Sequence, residues 1–345
     1  MAQARFYEIR RCAGVDESAM PAGMVVPFGG TNQVVLETSG MKMEVASNYD
    51  GIKLEEFDGK DIVRQLVDLN NALYQPDVDK LFREAFLPTA VFLYKPRYYR
   101  VHGKGLTGPA GAEVKAQPVP VPGRRAPSIG ATLRVLCLDT MPIKVAIRNV
   151  KARDEQGNIR FHARVPCDPK KEVADMNAVW TPQANIKFEL VTSTDLLIDH
   201  NDEATQAELK KGYGLKDSST AIFNPEGVVV AEKTRGLFAR HRVPGAHITF
   251  FLVQNVIGSD GPAMGTMNSE LGLSFIAGAH SPTTVAHEAG HYLGRKLVNG
   301  QWLGHEHRGE TELTMLMKRG GSSWAIPFDM VKRARAFSGK PYSGA

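Results

Sequence analysis

The sequence predicts two unlike domains: a small N-terminal β-sandwich over residues 21–116 and a larger α/β domain with a mixed sheet over residues 131–345. Three observations carry this. Short β-prone runs, separated by Gly, Asn, Ser and Pro turns, fill the first part. The stretch Gln117-Pro118-Val119-Pro120-Val121-Pro122-Gly123 alternates proline, which favours an extended spacer and resists helix or central strand, so a linker is expected at 117–130. Beyond it, strand-like and helix-like segments alternate. Residues 1–20 stand apart as an N-terminal segment.

In the first domain the expected strands are 23–27, 33–37, 42–46, 91–95 and 113–116. A helical insert is expected over 61–71, where Ile62, Val63, Leu66 and Leu69 recur at helical spacing, with Leu73 and a second set at Val78, Leu81 and Phe82 just beyond. This portion resembles a bacterial immunoglobulin-like module. It holds no constellation of catalytic residue types, so an accessory role in binding or positioning is expected. In the second domain, 132–139 reads as a buried strand and 172–183 as an amphipathic helix with Val173, Met176, Val179 and Trp180 on one side. Strands follow at 186–192, 247–257 and 273–277, then a helix at 283–293 and a last helix at 327–337.

The 345 residues are 43% apolar and 23% charged, ordinary for a folded globular chain and incompatible with wholesale disorder or a fibrous repeat. Lys plus Arg number 42 and Asp plus Glu 37, a net charge of +5, too thin for a nucleic-acid face without clustering. No apolar run reaches the roughly 18–20 residues of a membrane-spanning helix. Residues 1–13 carry Arg5, Glu8, Arg10 and Arg11 and have no apolar h-region, so no Sec signal peptide is expected. The expectation is a cytoplasmic protein or one exported by another route, such as a secreted bacterial effector. Cys12, Cys137 and Cys167 form no CxxC pair and no even-numbered framework, which points to free or buried thiols.

The chemistry concentrates in Val285-Ala286-His287-Glu288-Ala289-Gly290-His291-Tyr292-Leu293-Gly294. On a helix, positions four apart differ by about 40° in azimuth and about 6 Å along the axis. His287 and His291 therefore leave one face and can each bring an imidazole nitrogen to a single Zn²⁺. Glu288 lies one step round, off that face, where it can touch a metal-activated water but not join the ligands. Pro282 suits the helix start. Gly294 is expected to end the helix sharply, through the positive φ that glycine permits.

With Gly294 the segment resembles the metzincin metallopeptidases, whose pattern is H-E-x-x-H-x-x-G-x-x-H followed by a Met-turn. The resemblance spans roughly 132–337 and implies a zincin fold with a mixed sheet and an active-site helix. It departs at the third ligand, where Leu297 replaces histidine. Asn299-Gly300 between Lys296-Leu297-Val298 and Gln301-Trp302-Leu303 is a strong two-residue hairpin signal, so an insertion there brings the chain back on itself. Leu303-Gly304-His305-Glu306-His307 then restores G-x-x-H. His307 is the expected third ligand and His305 the second choice. Glu310 or Glu312 would resemble the gluzincins instead. Leu313-Thr314-Met315-Leu316-Met317 resembles the Met-turn, with Met317 the best fit and Met315 second. Residues 272–278 resemble the edge strand that precedes the active-site helix and binds extended peptide.

The expected activity is zinc-dependent hydrolysis of peptide bonds in a protein or peptide substrate, with one catalytic Zn²⁺ and Glu288 as general base. No Tyr or Arg is assignable to the oxyanion, and Tyr292 is expected to pack. The alternative is a non-catalytic binding or effector protein with a closed structural zinc site, His305 or Glu306 supplying a fourth ligand. His102, His162, His200, His241, His247 and His280 lack ligand spacing and are expected to be structural, with His280 set apart by its nearness to the helix.

Overall fold

The computed structural model describes residues 4–8, 22–38, 41–58, 97–120, 130–159, 168–214, 222–223, 227–259, 261–298, 301–303, 316, 326, 328–337 and 339–343. The chain divides into two units: Met1–Met141 with Ala178–Lys187 and Arg308–Lys332, and Pro142–Asn177 with Phe188–His307 and Arg333–Ala345.

The first unit holds two four-stranded sheets. One is ordered β1 (Arg5–Glu8), β3 (Thr31–Glu37), β6 (Arg97–Gly103), β5 (Ile52–Phe57); the other β2 (Ala22–Pro27), β8 (Ala131–Leu138), β7 (Ala112–Pro118), β4 (Met43–Ser47). Period-2 alternation explains the core: Val34 and Leu36, Tyr99 and Val101, Val114 and Ala116, and Leu133, Val135 and Cys137 all turn inward into one cluster fed by both sheets. On the outer face of β5 and β6 Glu55 pairs with Arg100, whereas Glu56 and Arg97 pair at the end of the core-facing row, where Arg97 also donates to the Met43 carbonyl. Cys137 is a free, buried thiol, raised above its ordinary pKa by burial; Cys12 and Cys167 lie outside the described residues.

Three expectations shift here. The sequence places residues 131–138 in the second domain, but β8 pairs with β2 in parallel and β7 in antiparallel fashion, so the division falls at Met141–Pro142. Pro118 ends β7, and β8 beyond the proline stretch packs into the same core, so no second core begins there. Within residues 1–20, Arg5–Glu8 is a sheet strand, paired with β3. The expected helical insert and the strand at 91–95 lie outside the described residues.

The second unit is built on a five-stranded mixed sheet ordered β10 (Ile186–Asp199), β9 (Met141–Arg153), β12 (Ile248–Val253), β16 (Leu273–Ala277), β15 (Gly265–Asn268). β12 is parallel to β9 and β16, and β15 runs antiparallel to β16. All six residues of β12 are buried, as a central parallel strand requires. One face of the sheet, through Phe251, Val253, Leu273 and Phe275, packs with Leu209 of α2 (Glu203–Tyr213) and Leu237 and Phe238 of α3 (Ala231–Ala239). The strand expected over 247–257 breaks at Gln254: Asn255–Gly258 leaves as β13 and joins a small sheet with β11 (Val228–Val230) and β14 (Gly261–Ala263). The expected helix at 172–183 is α1 (Pro169–Ala184), with Val173, Met176, Val179 and Trp180 buried; the last helix is α5 (Phe328–Arg335).

Candidate metal centre

After β16 the chain turns through Gly278–His280 and enters α4, Thr284–Leu293. Hydroxyls organise this entry: the Ser281 backbone N–H donates to Thr284 Oγ1 at 3.1 Å, and Ser281 Oγ lies 3.0 Å from Thr284 Oγ1. The Thr283 carbonyl accepts the first helical bond, from the His287 N–H at 2.8 Å. At the other end, Ser269 Oγ donates to the His291 carbonyl at 3.2 Å and satisfies one of the last-turn acceptors.

The helix has ten residues, of which eight are buried; the two that reach solvent are His287 and His291. Their rings lie 4.9 Å apart, centroid to centroid, with planes at 80°. Glu288, one residue round the helix, is only 4% exposed. Its Oε2 has no hydrogen-bond partner among the described residues, and burial pushes its pKa up to about 8. A buried carboxyl oxygen left unpartnered calls for an explanation. Two imidazoles on one open stripe, beside a carboxyl held back from them, suit the nitrogen-donor preference of Zn²⁺. Among the described residues no third His, Cys, Asp or Glu joins the pair.

The hairpin that precedes the expected third ligand is present: β17 (Lys296–Val298) pairs antiparallel with β18 (Gln301–Leu303), in the register a two-residue connection at 299–300 requires. His305, Glu306, His307, Glu310, Glu312, Met315 and Met317 lie outside the described residues; Leu316, between the two methionines, is buried.

Two expectations about the surroundings are corrected. The strand 273–277 is not an edge: β16 lies between β12 and β15, and the edge is β15, formed by the antiparallel return through Asn268–Gly272, upstream of residues 272–278. Gly294 does not use positive φ; at φ −84° its N–H bonds the Gly290 carbonyl in an ordinary last turn. Tyr292 packs, as expected: it is buried against Phe337, with Arg295 stacked 4.0 Å from its ring.

The other histidines hold structure. His247 accepts at Nδ1 from the Lys144 N–H at 2.9 Å, and burial lowers its pKa. His102 lies 3.0 Å from both Thr31 Oγ1 and Glu55 Oε2. His200 sets its ring edge-on to Phe223, burial lowers the pKa of His241, and His162 lies outside the described residues. His280 is different. It bonds the Ala277 carbonyl oxygen at 2.7 Å and Glu172 Oε1 at 3.2 Å, a buried pair the sequence spacing did not signal. Comparison with protein-family models, curated proteins and solved structures finds no match.

Proposed function

We propose that the chain is a zinc-dependent endopeptidase, with His287 and His291 as two of three protein ligands and His307 as the third, His305 being the second choice. The observation that carries this reading is the composition of α4: the only side chains that open to solvent are the two histidines, and the one carboxyl beside them is buried with an unpartnered oxygen.

A zinc ion held there supplies Lewis acidity, which acidifies water and polarises a peptide carbonyl. The chain's own groups do the rest. His287 and His291 orient the site from a helix fixed at both ends. Glu288 accepts the proton of the attacking water and returns it to the leaving amine. β15 is a sheet edge beside this helix, so its outward backbone groups are available to an extended peptide, which every protein substrate can offer.

The reading includes a metzincin-like arrangement for the second unit, supported by the mixed sheet with its antiparallel edge β15 and by the histidine-bearing helix that follows the inner strand β16. It includes an immunoglobulin-like accessory role for the first unit, supported by two four-stranded sheets around one core. No helix among the described residues is long and apolar enough to cross a membrane.

Protein purified without chelator should carry about one equivalent of zinc and cleave an unfolded protein substrate, with cleavage stopped by chelator and restored by zinc. Failure to take up zinc on dialysis overturns the reading. Stoichiometric zinc with four protein ligands by X-ray absorption, and no cleavage, would establish the closed structural site instead.

A further inference from the structure

We infer that Gly265 positions Glu288: the absence of a side chain at this edge-strand residue is what lets the carboxylate occupy its place beside the histidine pair. The inference rests on the proposed function, in which Glu288 is the base.

The register places Gly265 opposite Ile276 and Thr266 opposite Phe275. Phe275 belongs to the face packed with α2 and α3, so alternation turns residue 265 to the opposite face, where β15 meets α4. A Cβ on Gly265 would lie 2.7 Å from Glu288 Oε1, 2.9 Å from Cγ and 3.0 Å from Cδ. Ordinary contact begins near 3.4 Å, so the carboxylate would have to retreat by several tenths of an ångström. The rest of the helix is packed, and Glu288 itself is almost fully buried, which leaves the retreat few directions.

Conformation does not account for the glycine. The positive-φ glycines nearest in sequence are Gly261 and Gly272, and Gly265 is not among them. A strand ordinarily disfavours glycine, because it loses more freedom on folding and offers nothing to pack. The glycine therefore stands at a position where backbone geometry permits alanine and the neighbouring carboxylate does not. The obstacle is the far end of a flexible side chain, so the backbone can keep its course while the carboxylate gives way.

The test is Gly265→Ala in the zinc-loaded chain. Zinc stoichiometry should be unchanged and KM close to wild type, while kcat falls on the order of 100-fold, the cost of misplacing a catalytic group by a fraction of an ångström to an ångström. A thermal-melting readout separates positioning from general damage. In a Glu288→Ala background, where the collision is gone, Gly265→Ala should raise the unfolding midpoint; in the wild-type background it should raise it less or lower it. Unchanged kcat in Gly265→Ala beside an active wild type overturns the inference alone. So does an equal midpoint shift in both backgrounds. A wild-type chain that neither holds zinc nor cleaves peptide overturns the proposed function, and this role for Gly265 with it.

Discussion

His280 Nε2 lies 3.2 Å from Glu172 Oε1, with the two side chains 11% and 9% exposed, and the pair ties the turn before the histidine-bearing helix to the first turns of α1. Burial alone would lower the imidazole's pKa, but the hydrogen bond and charge of Glu172, the Ala277 carbonyl and the charge of Asp175 together raise it above the ordinary value. Folded His280 thus holds its proton to higher pH than unfolded His280. The stabilisation is complete below the unfolded value of about 6.5 and disappears as pH rises through the elevated folded value. Urea unfolding should therefore give a stability that declines with rising pH above about 6.5, and His280→Gln should flatten that decline. Glu172→Ala, which removes the group that holds the proton on His280, should lower stability at pH 6 and flatten the same pH dependence. An unchanged pH profile in His280→Gln would assign the slope to other groups.

Glu288→Gln preserves shape and removes the proton acceptor. Zinc content should remain at the wild-type level, and turnover on a peptide substrate should fall by about 10²- to 10⁴-fold. Folding stability of the chain without zinc should not drop, because burial raises the carboxyl's pKa to about 8 and a neutral amide then replaces a neutral acid. Cleavage at the wild-type rate would remove Glu288 from the role of base.

The third ligand can be identified by loss of metal. His287→Ala and His291→Ala should each abolish stoichiometric zinc binding, since two remaining ligands do not hold the ion against dialysis. His307→Ala should do the same, while His305→Ala should keep its zinc. The reverse result between the last two would move the ligand to His305, and retention in both would direct attention to Glu310 and Glu312. Metal analysis of the five proteins, wild type included, decides this without any substrate.

What the sequence made legible was local. Two histidines four apart, read against helical geometry, located α4 and its exposed stripe, because that arrangement needs no distant partner. β2, β3, β4 and β7 of the first unit were legible for the same reason, whereas β5 (Ile52–Phe57) and β6 (Arg97–Gly103) were not. β9, Met141–Arg153, was missed because Lys144, Arg148, Lys151 and Arg153 interrupt any clean alternation over its thirteen residues. α2 was missed because only Thr205 and Leu209 are buried on it, so no apolar stripe marks it; the signal was present in Asp202, whose carboxylate accepts from the Thr205 N–H at 2.9 Å as an N-cap. The relationships that shape the site are long-range. Glu172 is 108 residues from His280, and Gly265 meets Glu288 only after β15 has folded back along β16. Neither pairing has a spacing to read.

Gly272 closes that fold-back and can be tested by stability alone. It ends the Asn268–Gly272 turn at φ +64°, with its N–H donating to the Asn268 carbonyl at 3.0 Å, and a Cβ there would lie 2.2 Å from the His247 carbonyl oxygen. Both obstacles are backbone, so neither a rotamer change nor a flexible side chain can relieve them. The left-handed conformation alone costs a non-glycine residue about 1–3 kcal/mol, and the collision with the carbonyl adds to it. Gly272→Ala should therefore lower the stability of the chain by more than that range when measured by urea unfolding. It should also weaken zinc retention, because the same turn carries Ser269, whose hydroxyl donates to the carbonyl of His291. Full stability in Gly272→Ala would mean that the turn relaxes freely and does not brace the helix.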